Sequence, residues 1–271
     1  IRETTNDYER SDLEIRSMPS RRIRVVLTRP LASKRTPPYA AVVCIHGHGG
    51  DRNIVYDRQS VYHGFARSLA ESGYVTISTD VGQHNVFESN RTLMGERLWD
   101  LMRCVDYLES LPCTDKSRMG CAGLSLGGEM AMWLGAMDTR IAATVSSGFL
   151  TTMENMRNGH CMCWDFPGLQ RRFEFSDIYS LIAPRPLQCQ NGKLERLPGG
   201  FPVDLAETAM EEIQQAIEQK NEKVAYLHII APDKPDDVFV KNCWKFIITA
   251  KEGKLLFSDG HIMEKTKPGT L

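Results

Sequence analysis

RMGCAGLSLGGEMAMWLGAMD, residues 118–138, decides how the rest of the chain is read. Its first part is an apolar run of strand length, and its second part carries apolar residues at helical spacing. Between them lies Gly123-Leu124-Ser125-Leu126-Gly127-Gly128, a Gly-x-Ser-x-Gly turn in the strand–turn–helix context that such a motif needs. A tight turn of this kind pushes the serine hydroxyl away from the sheet in strained backbone geometry. The residues two places either side must be small so that strand and helix can close, and the helix N-terminus favours an oxyanion formed nearby. Ser125 is therefore the candidate nucleophile, against the plainer reading of a glycine-rich turn with an incidental serine.

Upstream, AAVVCIH (40–46) is a buried-strand pattern that runs into His46-Gly47-His48-Gly49-Gly50. Glycines there let backbone approach a reacting carbonyl closely. Gly47 and His48 are placed at the site on this ground, with the N–H groups of His48 and Leu126 as paired oxyanion donors. Outward from these two motifs the pattern alternates. RRIRVVLTRP (21–30) reads as an edge strand after a loosely held N-terminus. YVTISTD (74–80), IAATVSSGF (141–149), PLQCQNG (186–192) and KVAYLHIIA (223–231) read as strands. Segments 63–73, 93–112, 127–138, 204–220 and 236–253 read as helices. Strands alternating with helices imply right-handed crossovers and hence an α/β fold, a doubly wound, mostly parallel sheet with helices on both faces. The chain reads as one domain over 1–271, with a lid-like insertion at about 151–186 and an atypical C-terminal tail from about 251.

With 271 residues, 42% of them hydrophobic, the chain is long enough for one sizeable core. Lys plus Arg is 33 against 34 for Asp plus Glu, so no broad field of either sign marks a nucleic-acid partner or a polyanionic substrate. No apolar run approaches bilayer length. Ile1 rather than Met opens the chain, which leaves both a cytoplasmic location and secretion after loss of a leader open. The oligomeric state is not readable. Eight scattered cysteines do not make a disulfide scaffold. His160, Cys161 and Cys163 lack the usual Cys-x-x-Cys spacing and a second ligand pair, and the His46–His48 stretch lacks further ligands at suitable spacing, so no metal is expected.

On these motifs, together with HCMCWDFPGL (160–169), FSDIYSLIAPRPLQCQNG (175–192) and FPVDLAETAMEEI (201–213), the chain resembles the acetyl xylan esterase and dienelactone hydrolase-like branch of the α/β-hydrolases over roughly residues 22–232. The elbow alone marks the superfamily, and the LIAPRPL strand entry is more specific to this branch. The resemblance implies a Ser-His-acid triad, acyl-enzyme chemistry and no cofactor. It places the acid a few residues beyond the Asn191-Gly192 turn, at Glu195, with Asp204 as the second choice because LPGGFPVD (197–204) reads as a short insertion. It places the histidine just past the next strand, where this chain has Ala231-Pro232-Asp233-Lys234-Pro235 and no histidine. His228 lies within that strand and reads as a packed histidine. Two readings stay open. Either the tail folds back and brings His261 to Ser125, or the site lacks its general base.

The expected activity is hydrolysis of a small-molecule carboxylic ester, with acetyl groups on a carbohydrate suggested by the resemblance alone. Trp164, with Phe166, Phe173 and Tyr179, is a candidate aromatic wall for the substrate, and ordinary packing is the alternative. The competing reading is a binding protein on a hydrolase fold, motivated by the missing histidine. A peptidase of the same fold is a third.

Overall fold

The computed structural model describes residues 2–219 and the strand backbones at 227–230, 255–256 and 262–263. In chain order the principal elements are β1 (Arg2–Thr4), β2 (Tyr8–Met18), β3 (Arg21–Pro30), β4 (Tyr39–Ile45), α1 (Phe65–Glu71), β5 (Val75–Thr79), α2 (Leu93–Ser110) and β6 (Thr114–Leu124). They continue with α3 (Leu126–Met137), β7 (Ile141–Ser147), α4 (Met153–Arg157), α5 (Phe175–Ser180), β8 (Leu187–Gln190), α6 (Val203–Gln219) and β9 (Leu227–Ile230).

One nine-stranded sheet has the order β1-β2-β3-β5-β4-β6-β7-β8-β9. The pairs from β5 through β4, β6, β7 and β8 to β9 are parallel, and the β1, β2, β3 end is antiparallel. The mostly parallel, doubly wound reading therefore holds. β4 shows why the central strands read as unbroken apolar runs. Val43 and Ile45 pack into the core beneath α2 and α3, while Val42 and Cys44 pack into the opposite core with Phe65 and Leu69 of α1. A strand covered by helices on both faces has no polar side to show.

The N-terminal expectation needs correction. Residues 21–30 are not the edge, and the segment before them is not loose. β2 pairs with β3 from Tyr8↔Pro30 to Met18↔Arg21 around a turn at Pro19-Ser20, with one irregularity near Arg16. Glu9, Arg10, Ser11, Asp12, Glu14, Arg16 and Ser17 make most of YERSDLEIRSM charged or polar, and two of its four buried residues, Ser11 and Ser17, are polar, so no apolar alternation registers.

The segment at 151–186 is anchored from below rather than laid loosely on top. Met153, Met156, Trp164, Leu169, Phe175, Ile178, Tyr179 and Ile182 all enter the main core. α5 is held at its start by a capping box, in which Glu174 and Asp177 satisfy each other's backbone N–H groups. The helix expected at 236–253 and most of the tail lie outside the described residues. No helix among the described residues is long and apolar enough to cross a membrane.

Candidate active site

β6 is a central strand of the sheet, and α3 starts directly at its C-terminal end. Ser125 joins them with φ 58° and ψ −122°, a conformation in which a non-glycine residue is strained. The surroundings hold it there. The Ser125 N–H donates to Ser147 O at 2.8 Å, and the Ser125 carbonyl accepts from Glu129 N at 3.0 Å. The glycines around it are required by contact: a Cβ on Gly123 would lie 2.1 Å from Gly127 O, and one on Gly127 would lie 2.3 Å from Ile45 O. Strand and helix thus touch through backbone alone. Ser125 itself is half-buried.

The 46–50 stretch leaves β4 alongside this turn. A Cβ placed on Gly47 would sit 3.3 Å from the Ser125 Cβ and 2.8 Å from Leu124 O, so only glycine fits beside the serine. His46 is fully buried. Its Nε2 accepts from Val81 N at 3.0 Å, which puts the ring proton on Nδ1, where it donates to Gly47 O at 2.8 Å. Burial lowers the His46 pKa, so the ring stays neutral and bridges the loops after β4 and β5. It is a positioning residue, not a proton carrier. The Gly47 N–H donates to the buried Tyr62 hydroxyl at 2.6 Å. Gly47 therefore makes room next to Ser125, while its amide is already taken. Leu126 contributes the first amide of α3, a position with no intrahelical acceptor.

Trp164 is placed differently from expectation. It is fully buried and packs edge-on against Phe175, ring centres 5.4 Å apart, so it builds the core rather than a substrate wall. Tyr179 is likewise buried, its hydroxyl 2.7 Å from Ser146 Oγ. Phe166 lies 6.0 Å from the Trp133 ring, and Phe173 alone of the four is largely exposed.

Glu195 is half-buried in a pinned loop. Its Oε2 accepts from Phe201 N at 3.1 Å, and Asn191 Nδ2 bridges Leu150 O and Phe201 O at 3.0 Å each. Asp204, by contrast, is exposed in the first turn of α6, where its carboxylate accepts from Leu205 N. Sequence reasoning did not weigh His160 as a site imidazole. Its ring lies over Phe201, centres 4.9 Å apart. Burial lowers its pKa, nearby His48 lowers it further, and Glu195 pulls the other way, so it stands near both. Nothing in its local sequence signals this. His261 lies outside the described residues.

One acidic group behind the elbow is perturbed. Glu129, on α3 four residues after Ser125, is fully buried, and burial pushes its carboxyl up to about 8 against the opposing pull of Arg97. In the unfolded chain it ionises near 4.5. The folded state is therefore penalised progressively as pH climbs from that value to about 8, and the penalty is complete above it. Glu129→Gln carries no such charge. Urea titrations should find its stability relative to the native chain rising by about 2–5 kcal/mol between pH about 4 and about 9. A flat difference would mean that Glu129 is not held neutral.

A strained serine between a central parallel strand and a helix, beside a glycine-rich loop from the neighbouring strand, defines the α/β-hydrolase class. The chain belongs to the Abhydrolase family, whose model matches residues 86–229. It is 29% identical over 203 residues to YtaP of Bacillus subtilis (strain 168), and 28% identical over 144 residues to YcjY of Escherichia coli (strain K12). The matches cover 64% and 52% of this chain, and 66% and 45% of those proteins. Among solved structures, a glucuronoyl esterase from Solibacter usitatus superposes with a TM-score of 0.65 at 16% identity, covering 91% of this chain and 82% of the other. A candidate acetyl xylan esterase of Bacteroides fragilis NCTC 9343 does so at 0.60 and 21% identity, covering 88% and 70%. At these identities the likeness is one of fold.

Proposed function

We propose that the protein is a serine hydrolase of carboxylic esters, acting on small acyl groups of the acetyl type such as those carried by carbohydrates. The observation that carries this reading is Ser125, held in positive-φ geometry at the start of α3 with Gly47 against its Cβ. The general base takes the hydroxyl proton as Ser125 Oγ attacks the ester carbonyl, and then gives it to the alcohol as the ester C–O bond breaks. The base then takes a proton from water as its oxygen attacks the acyl-enzyme, and returns it to Ser125 Oγ as the serine–acyl bond breaks and the carboxylic acid leaves. The His48 and Leu126 N–H groups receive the oxyanion of each tetrahedral intermediate. Carbohydrate as the alcohol side draws on the fold neighbours named as glucuronoyl and acetyl xylan esterases.

Glu195 is the acid in this reading. Its placement in a pinned loop after β8 suits a group that must orient an imidazole, whereas exposed Asp204 is tied to its own helix. His261 is the base, since it preserves the chain order serine, acid, histidine. A second reading assigns the base to His160, because Glu195 already acts on that ring. Four variants separate these roles on p-nitrophenyl acetate. Glu195→Gln should lower kcat by about 10²–10⁴-fold with little change in KM, and Asp204→Asn should leave turnover intact. His261→Ala should abolish turnover, with His160→Ala retaining it. The opposite result for the two histidines moves the base to His160. Native kcat in Glu195→Gln removes the acid assignment.

A further inference from the structure

The imidazole of His48 belongs to a cluster of two imidazoles and two thiols. Its Nε2 lies 3.0 Å from Cys163 Sγ, and His84 Nε2 lies 3.3 Å from Cys161 Sγ. The two rings stack, centres 5.6 Å apart at 28°. All four donor atoms fall within 4.8 Å of one another. We infer that His48, His84, Cys161 and Cys163 form a tetrahedral site for a borderline-soft divalent cation of the zinc type.

Geometry and chemistry both support this. Zinc–sulfur bonds of about 2.3 Å and zinc–nitrogen bonds of about 2.0–2.1 Å give a tetrahedron whose nitrogen–sulfur edges are about 3.5 Å and whose sulfur–sulfur edge is about 3.8 Å. The observed spacing needs only small side-chain adjustments to reach it. Two thiolates and two imidazoles select zinc or cobalt over magnesium or calcium, which want oxygen. Four protein ligands leave no open position, so the ion is structural and supplies no hydroxide.

Arg97 supplies the outer support. It is fully buried, donates from Nη1 to Cys163 Sγ at 3.5 Å, and donates from Nη2 to Gln83 O at 2.5 Å, next to His84. One guanidinium therefore holds a ligand sulfur and the carbonyl of the residue that precedes a ligand histidine. Groups behind metal ligands commonly orient them in this way. Binding releases the two thiol protons, and a divalent ion with two thiolates is neutral beside Arg97.

The ligands come from the loop after β4, the loop after β5 and the 161–163 turn of the insertion, separated by 115 and 77 residues in the paired contacts. An ion here ties the insertion to the loop that carries the His48 amide. The inference stands on these side chains and holds whether or not Ser125 is a nucleophile.

The test uses the full chain, reduced, stripped with a chelator, reloaded with zinc or cobalt, and desalted. Elemental analysis should find one ion per chain. The cobalt form should show a thiolate-to-metal charge-transfer band and intense tetrahedral d–d bands. Cys161→Ser, Cys163→Ser and His84→Ala should each weaken binding more than about tenfold, the scale at which even outer-shell changes act. Cys113→Ser, which alters a cysteine outside the cluster, should bind as the native chain does, and circular dichroism checks that each variant is folded. The inference is overturned by no retained ion and no charge-transfer band in the native chain, by unchanged affinity in Cys161→Ser and Cys163→Ser, or by a Cys161–Cys163 disulfide in the reduced preparation.

Discussion

Ser125→Ala is expected to lower kcat on p-nitrophenyl acetate by about 10³–10⁶-fold while leaving the thermal midpoint almost unmoved or slightly raised. The size follows from what the hydroxyl does. Without it no acyl-enzyme forms, and the residual rate is what the oxyanion donors and binding supply to water alone. The direction of the stability change follows from the backbone. Ser125 sits at φ 58° whether or not it carries a hydroxyl, and its held groups are backbone atoms, N–H to Ser147 O and carbonyl to Glu129 N. Alanine keeps both. A variant that loses activity together with its cooperative melting transition would show that the hydroxyl is structural. A variant that keeps activity would take Ser125 out of the chemistry.

Gly127→Ala is expected to produce a large stability loss for the addition of a single methyl group. The added carbon would lie 2.3 Å from Ile45 O, 2.8 Å from Ile45 C and 2.9 Å from His46 O, all backbone atoms of β4 and the loop that follows it. No rotamer relieves that contact, so α3 must move away from the sheet. A shift of this kind should cost at least about 3 kcal/mol, which in a chain of this size is a fall of roughly 5 °C or more in Tm. Because the same movement pulls the Leu126 amide away from the 46–50 loop, activity should fall with it. Gly49→Ala is the contrasting case. Unlike Gly127 it has positive φ, at 69°, but nothing lies within 4 Å of its added carbon. Only backbone strain of about 1–2 kcal/mol is expected there. Differential scanning calorimetry of the two variants separates contact from strain, and equal losses would refute the close-packed elbow.

The alternation of strand and helix and the turn at 123–128 were readable because each rests on local chemistry. A doubly covered strand must be apolar throughout, and a strand–serine–helix turn must have glycines where backbone meets backbone. What stayed hidden depends on approach across distance. β2 was masked because a half-exposed ribbon buries too few side chains to leave a period. For Trp164 a substrate wall and ordinary packing are both open from the sequence because the surrounding 151–186 segment has no regular pattern, and its burial against Phe175 puts it in the core. His84 and Cys163 lie far apart in sequence with no shared motif, so only the folded loops bring them near each other. The pairing of Glu195 with Phe201 N shows the same limit, since a carboxylate in a loop looks like any solvated acid until its partner is seen.

The most direct test of an activated serine is covalent capture. Incubating the folded chain with a fluorophosphonate and mapping the adduct by peptide mass spectrometry should place a single stoichiometric modification on Ser125, absent after heat denaturation. An intact, folded chain that stays unlabelled, or one labelled at some other hydroxyl with Ser125 untouched, would contradict the account.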